Sequence, residues 1–199
     1  MKIIGITGPT GAGKTTALRA LEELGVAVID ADQVYHRLLA ESAPLRAALV
    51  ERFGTEILDS AGQPDRKRLG AAVFADPQAL EDLNAVTHRF VLAELDRLCG
   101  QAEAEGRHAA IDAVALIESG AAEKCHAVAA VLAPQEVRIR RIMAREGISY
   151  DYARSRAEAQ KSEAFYRSHC PYVLDNDGSK TPAEFREEAL TLFRKLLEE

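Results

Sequence analysis

Gly8-Pro9-Thr10-Gly11-Ala12-Gly13-Lys14-Thr15 fits the pattern G-x-x-x-x-G-K-[ST], and its neighbours fit it too. Lys2-Ile3-Ile4-Gly5-Ile6-Thr7 reads as a short buried strand, and Thr15 to Leu24 as a helix. A loop between strand and helix aims backbone N–H groups and a helix N-terminus at anionic phosphates. In this pattern Lys14 reaches the β- and γ-phosphates and the Thr15 hydroxyl ligates Mg²⁺. A chance glycine-rich turn is the alternative, and it does not account for strand, loop and helix arriving in order. The loop implies phosphate binding. The fate of the phosphate has to come from elsewhere in the chain.

Working outward, the chain has 199 residues, enough for one core with inserted subdomains. Hydrophobic residues make up 47% and charged residues 28%, the balance of a globular protein. A net charge of -6 argues against a broad nucleic-acid surface, while leaving room for a local basic cluster that holds an anion. Cys99, Cys125 and Cys170 are odd in number and show no C-x-x-C, so they are expected as reduced, buried thiols. No apolar run approaches the ~20 residues of a membrane span, and no charged-then-apolar leader precedes the first strand. The cytoplasm is the expected location.

Beyond the loop, Ala17, Leu18, Leu21 and Leu24 share a helix face, and Gly25 is a natural stop. Val26 to Ile29 reads as a second strand that delivers Asp30-Ala31-Asp32 at its C-terminal end, where open α/β sheets bind ligands. From Gln33 to about Ala85 the pattern is helical and broken. Ser42 with Pro44 starts one helix, Gly54 ends it, and Ser60 to Asp65 is a turn cluster. Asp76 and Pro77 open a long helix running towards Ala104. Arg107 to Val114 and Ala127 to Ala133 are strand candidates, and Pro134 begins an arginine-rich helix. The segment from Met143 to Arg167 is polar with helical spacing, which fits either a mobile lid or a solvated surface helix. Tyr172 to Asp175 is a last strand. Asp177-Gly178 turns the chain, and Thr181-Pro182 starts a helix with Phe185, Ala189, Leu192, Phe193 and Leu196 on one face. The expected fold class is α/β: a P-loop parallel sheet flanked by helices, with a helical insertion after the second strand and another before the last.

Four arginines, Arg138, Arg140, Arg141 and Arg145, fall within eight residues of an otherwise acidic chain. Arginine forks suit phosphate oxygens and neutralise charge in phosphoryl transfer. Each one alone also fits an exposed face paired with Glu136 and Glu146. Asp30 and Asp32 fit either a base that accepts a proton from an acceptor hydroxyl or caps for the next helix. Asp112 follows Ala109-Ala110-Ile111, where it fits either a Mg²⁺-binding acid or a cap, and Glu118 shares that ambiguity. Spacing alone makes no case for His88.

Taken together these segments resemble the dephospho-coenzyme A kinases, over nearly the whole length. The resemblance rests on Ile3 to Thr16, on Gly25-Val-Ala-Val-Ile-Asp-Ala-Asp32, and on Phe53-Gly54 with the run Asp65 to Ala75. It continues through Leu83-Asn84 with His88, through Arg141 to Arg145 and Ala153 to Arg156 with Gln160, and ends at Val173 to Ser179. The loop and the acidic pair are each shared with other kinases, whereas the order of all the segments is far more specific. The chain departs from the family at Arg89, commonly proline, and across Val114-Ala115-Leu116-Ile117-Glu118.

The resemblance implies ATP-dependent phosphorylation of the ribose 3′-hydroxyl of dephospho-coenzyme A. It implies Asp32 as base, with Lys14 and Arg141 as the other catalytic groups. ATP would be held by Gly8, Thr10, Gly11, Ala12, Gly13, Lys14, Thr15 and Thr16, Mg²⁺ by Thr15, and the acceptor by Asp32 and His88. The expected organisation is a nucleotide-binding core of 1–32, 86–140 and 169–199, an acceptor subdomain of 33–85 and a lid of 141–168. No nucleic-acid, membrane or obligate protein partner is expected. The rivals are another small-molecule kinase and a nucleotide-dependent switch; against the switch, no N-K-x-D guanine-reading motif is present.

Overall fold

The computed structural model describes residues 1–74 and 76–198. Ala75, the last residue of the 65–75 run, therefore lies outside the described residues, as does Glu199. The chain divides into two compact units, Met1–Ile29 with Cys99–Glu199, and Asp30–Leu98.

The first unit is built on a parallel sheet of β1 (Ile3–Thr7), β2 (Ala27–Asp30), β3 (Ala109–Asp112), β4 (Ala127–Leu132) and β5 (Tyr172–Asp175), in the order β2-β3-β1-β4-β5. β1 pairs with β3 from Ile3↔Ala109 to Ile6↔Asp112, and with β4 from Ile4↔Ala127 to Thr7↔Ala130. β4 pairs with β5 from Ala129↔Tyr172 to Leu132↔Asp175. A central parallel strand is covered on both faces, which is why β1 and β4 read as unbroken apolar runs. Packing also fixes Gly5, because a Cβ there would lie 2.7 Å from Leu116 Cδ2 and 2.9 Å from Cys125 Sγ.

Two strands differ from their expected bounds. β2 starts at Ala27 and runs through Asp30. β3 is shorter than 107–114: the Arg107 guanidinium donates to the Gly25 carbonyl at 3.1 Å, and the Val114 carbonyl accepts from the Thr7 hydroxyl at 3.1 Å. These flanking residues hold neighbouring segments rather than extend the ladder.

Helix α1 (Lys14–Glu23) begins one residue earlier than expected, since Gly13 already serves as its N-cap. Its buried face of Ala17, Ala20 and Leu21 joins Phe185, Ala189, Leu190, Phe193 and Leu196 of the C-terminal helix (Pro182–Glu198) and the sheet residues Ile4, Val131 and Leu174 in the main core. Thr181 and Glu184 cap that helix reciprocally, the Thr181 N–H donating to the Glu184 carboxylate at 2.8 Å.

The second unit is helical. In α2 (Ala31–Glu41) the Asp30 carboxylate accepts from the Gln33 N–H at 2.9 Å. α3 (Ala43–Phe53) is capped by Ser42, carries Pro44 in its first turn, and ends at Gly54 with φ +79°. α4 (Arg66–Val73) is capped by Asp65. Leu39, Leu45, Leu49, Ile57 and Leu69 form its core, against which Leu83, Val86 and Phe90 of α5 (Pro77–Ala104) pack. The division between the two units falls within α5.

Between β4 and β5 lie α6 (Gln135–Glu146), α7 (Tyr150–Glu158) and α8 (Glu163–His169). The polar composition here suggested a weakly packed segment. Yet Ile139 and Ile142 of α6 bury themselves against Ala153 and Ala157 of α7. Two alanines four apart make an apolar stripe that overall polarity conceals.

Candidate active site

The phosphate loop leaves β1 at the middle of the sheet. Gly8, Gly11 and Gly13 adopt φ values of +132°, +83° and +102°, which side-chain-bearing residues avoid. Each is also pressed against a neighbour. A Cβ would fall 2.2 Å from the Val131 carbonyl at Gly8, 2.8 Å from the Arg138 carbonyl at Gly11, and 2.2 Å from Asn176 Nδ2 at Gly13. Ala12 is fully buried in the main core, so the loop is rooted by a methyl group as well as by hydrogen bonds.

Three consecutive loop carbonyls, those of Thr10, Gly11 and Ala12, are held by side chains of α6 and by Asn176. Arg138 Nε donates to Thr10 O at 2.9 Å. Arg141 Nη1 donates to Gly11 O and Ala12 O, both at 3.3 Å. Asn176 Nδ2 donates to Ala12 O at 2.8 Å, and its Oδ1 accepts from Arg141 Nη2 at 3.2 Å. In a trans peptide the following N–H points opposite to the carbonyl. Fixing these carbonyls therefore turns the N–H groups of Gly11 and Gly13 the other way, the arrangement that receives an anion.

Lys14 Nζ donates to the Gly8 carbonyl at 3.1 Å and stands 3.9 Å from Asp112 Oδ1 at the end of β3. Its charge is thus folded back along the loop beside a carboxylate. Thr15 is exposed and Thr16 half-buried in the first turn of α1.

The four arginines separate into two pairs. Arg138 is 6% exposed and Arg141 half-buried, and burial draws both guanidinium pKa values down without removing the charge. Arg140 and Arg145 are exposed, and Arg145 pairs with Glu146 at 2.6 Å. The expected partner Glu136 accepts instead from the Tyr150 hydroxyl at 2.9 Å.

Of the two acids after β2, Asp30 spends both oxygens on Gln33, accepting from its N–H at 2.9 Å and its side-chain amide at 3.1 Å. Asp32 lies in the first turn of α2 rather than at the strand end, with its carboxylate exposed. His88 is half-buried on α5. The loop, Lys14, Thr15, Thr16 and Arg141 are thus together in the first unit, while Asp32 and His88 belong to the second.

Sequence reasoning took Asn176 as part of the closing Val173–Ser179 segment; the structure uses its amide to hold the loop. It left Arg138 undistinguished from its neighbours and gave Gln160 no role. Gln160 accepts from the Thr10 N–H at 3.0 Å and donates to the Thr10 hydroxyl at 3.0 Å. The one available signal for Arg138 and Arg141 was their three-residue spacing, which puts both on one helix face.

The sequence profile described as dephospho-CoA kinase matches residues 2–181. A dephospho-CoA kinase of Geobacter sulfurreducens is 38% identical over 192 residues, covering 96% of this chain and 97% of the relative. Among solved structures, a Thermus thermophilus protein superposes with a TM-score of 0.80 at 34% identity, covering 98% of this chain and 96% of that one. The dephospho-CoA kinase of Campylobacter jejuni gives 0.70 at 25% identity, with 98% of each chain covered. The nucleotide-binding loop, the sheet that carries it and these likenesses along almost the entire length agree, and the chain belongs to the dephospho-CoA kinase family.

Proposed function

We propose that this ATP-dependent kinase of dephospho-CoA works by in-line transfer of the γ-phosphoryl group to the ribose 3′-hydroxyl, with Asp32 as general base. Catalysing the last step of coenzyme A synthesis is the family's activity. One observation favours Asp32 over Asp30: Asp30 is committed to capping α2, whereas Asp32 is exposed in its first turn. Asp32 would take the hydroxyl proton as the oxygen attacks. Lys14 and Arg141 would spread the charge that develops on the transferring group.

The residues present fit Mg²⁺. Among the described residues no group of three or more His, Cys, Asp or Glu side chains is placed to cage a metal. An ion that keeps its waters and takes its remaining ligands from one or two protein groups and the nucleotide needs none. The exposed Thr15 hydroxyl, with Asp112 beside Lys14, supplies such groups. When bound, Mg²⁺ would neutralise phosphate charge and fix the phosphates against the loop.

The remaining assignments follow the same reading. The helices of 33–85 would receive the coenzyme moiety, with His88 at the acceptor, and 141–168 would act as a lid that excludes water. Segments 1–32, 86–140 and 169–199 would form the nucleotide-binding core. On this reading the enzyme works in the cytoplasm, where ATP is at hand; no helix of the described residues is long and apolar enough to cross a membrane.

The test is to incubate the purified protein with ATP, Mg²⁺ and dephospho-CoA and follow both products by mass spectrometry. Coenzyme A should form in step with ADP. Asp32→Asn should lower kcat by about 10²–10⁴-fold while ATP still binds. Near-normal turnover in that variant would remove Asp32 as base.

A further inference from the structure

Thr10, Arg138 and Gln160 close a ring of hydrogen bonds that nucleotide binding to the loop does not by itself require. Gln160 Oε1 accepts from the Thr10 N–H at 3.0 Å and from Arg138 Nη2 at 2.6 Å, while Nε2 donates to Thr10 Oγ1 at 3.0 Å. Arg138 Nε completes the ring on the Thr10 carbonyl at 2.9 Å. The amide orientation is fixed by its partners, since only an oxygen can accept from two N–H donors at once. All three polar groups of Thr10, the N–H, the carbonyl and the hydroxyl, are engaged by this pair of side chains.

The placement of Gln160 gives the ring its meaning. It stands in the short joint between α7, which ends at Glu158, and α8, which Ser162 caps. Moving α7 and α8 away from the loop would break the contacts of Gln160 with Thr10. The same side chain lines a cavity of about 270 Å³ with Val114, Glu118, Lys161 and Tyr166. Gln160 therefore borders open space beside the loop, where a residue serving only the core would be enclosed. Arg138 lies three residues before Arg141 on α6, so the ring and the Arg141 contacts brace the loop from the same helix face.

We propose that Gln160 is a positioning residue that couples the lid helices to the phosphate loop through Thr10. The loop reaches its transfer-competent geometry only while the lid lies against it, so phosphoryl transfer is reserved for the state in which water is excluded. This inference rests on reading 141–168 as a lid, and its signature is the partition of ATP between acceptor and water. Thr10 then acts as the loop's handle for Gln160, in place of the direct ATP contact expected from the sequence.

The experiment measures ADP and coenzyme A formed by the same sample, and expresses uncoupled hydrolysis as ADP in excess of coenzyme A. Gln160→Leu and Thr10→Val should each raise the excess about five- to tenfold, the scale of one buried hydrogen bond. The double variant should be no worse than Gln160→Leu alone, because that substitution already removes the hydroxyl link that Thr10→Val deletes, together with the link to the Thr10 N–H. Thr10→Ser, which keeps the hydroxyl, should restore tight coupling. Melting temperatures of all four variants are recorded alongside. Unchanged partition in a folded Gln160→Leu, or effects of the two single variants that multiply in the double, would overturn the coupling. Should Gln160→Leu not fold, Thr10→Val against Thr10→Ser decides: equal partition in the two overturns it. Absence of coenzyme A in the unsubstituted protein would instead overturn the kinase reading itself.

Discussion

Gly13 shows how little latitude a single position in this loop has. Its φ of +102° already excludes an ordinary side chain, and a Cβ would meet Asn176 Nδ2 at 2.2 Å. Gly13→Ala is expected to displace the Asn176 amide from Ala12 O and abolish measurable ATP binding in calorimetry, with the sheet still folded. Asn176→Ala removes the same bond without a clash, leaving the Ala12 carbonyl one donor short. An ATP affinity about five- to thirtyfold weaker is expected, the cost of one buried polar group losing a partner. The thiols make a separate prediction. Burial, with Cys99 nearby, pushes the Cys125 thiol up to about 12, and burial pushes Cys170 to about 11. A raised pKa means the protonated, unreactive form prevails at pH 8, so iodoacetamide should label both only slowly in the folded protein and readily once it is denatured. At this scale the glycines and Lys14 were legible because their requirement is local. The partners of the loop carbonyls were not, since each comes from a residue far along the chain whose polar group fits many other uses.

Helices were legible where a cap and a repeat coincide. Ser42 with Pro44 and Gly54, Thr181 with Pro182, and the Phe185–Leu196 face all stand where local chemistry puts them. Strand ends and the α6–α7 pair were not, because a ladder ends according to its neighbours' hydrogen bonds and two alanines carry little apolar weight. The pair separates scaffold from site experimentally. Phe193 is fully buried between α1 and the C-terminal helix, and Phe193→Ala should cost about 3–5 kcal/mol of stability in a denaturant melt. Its effect on the Michaelis constant for ATP should be small. Ile139, buried between α6 and α7, holds the helix that carries Arg138 and Arg141. Ile139→Ala should cost about 2–5 kcal/mol and also raise the ATP Michaelis constant, because the loop's braces move with α6.

Across the whole molecule, the chain is acidic, yet two partly or fully buried arginines converge on one loop. Anion binding here is a matter of local placement rather than net charge. Saturating ATP with Mg²⁺ should stabilise the protein by about 2.7 kcal/mol at one hundred times its dissociation constant, seen as a higher melting temperature. Chelating the metal should abolish turnover, and added Mg²⁺ should restore it. The fold class was legible at this level because alternating strands and helices after a phosphate loop admit few arrangements. The division at Asp30 and Leu98 was harder to see, since one boundary falls inside a continuous helix. The brace on the loop also has a history in time. The loop is synthesised before its braces, since Arg138 and Asn176 follow their loop partners by 128 and 164 residues. At ribosomal speed roughly six to thirty seconds separate them. A nascent chain therefore carries the whole motif before the braces that shape it, and a chain cut short ahead of Asn176 displays the motif with one brace missing. Full nucleotide affinity thus waits until translation has passed β5.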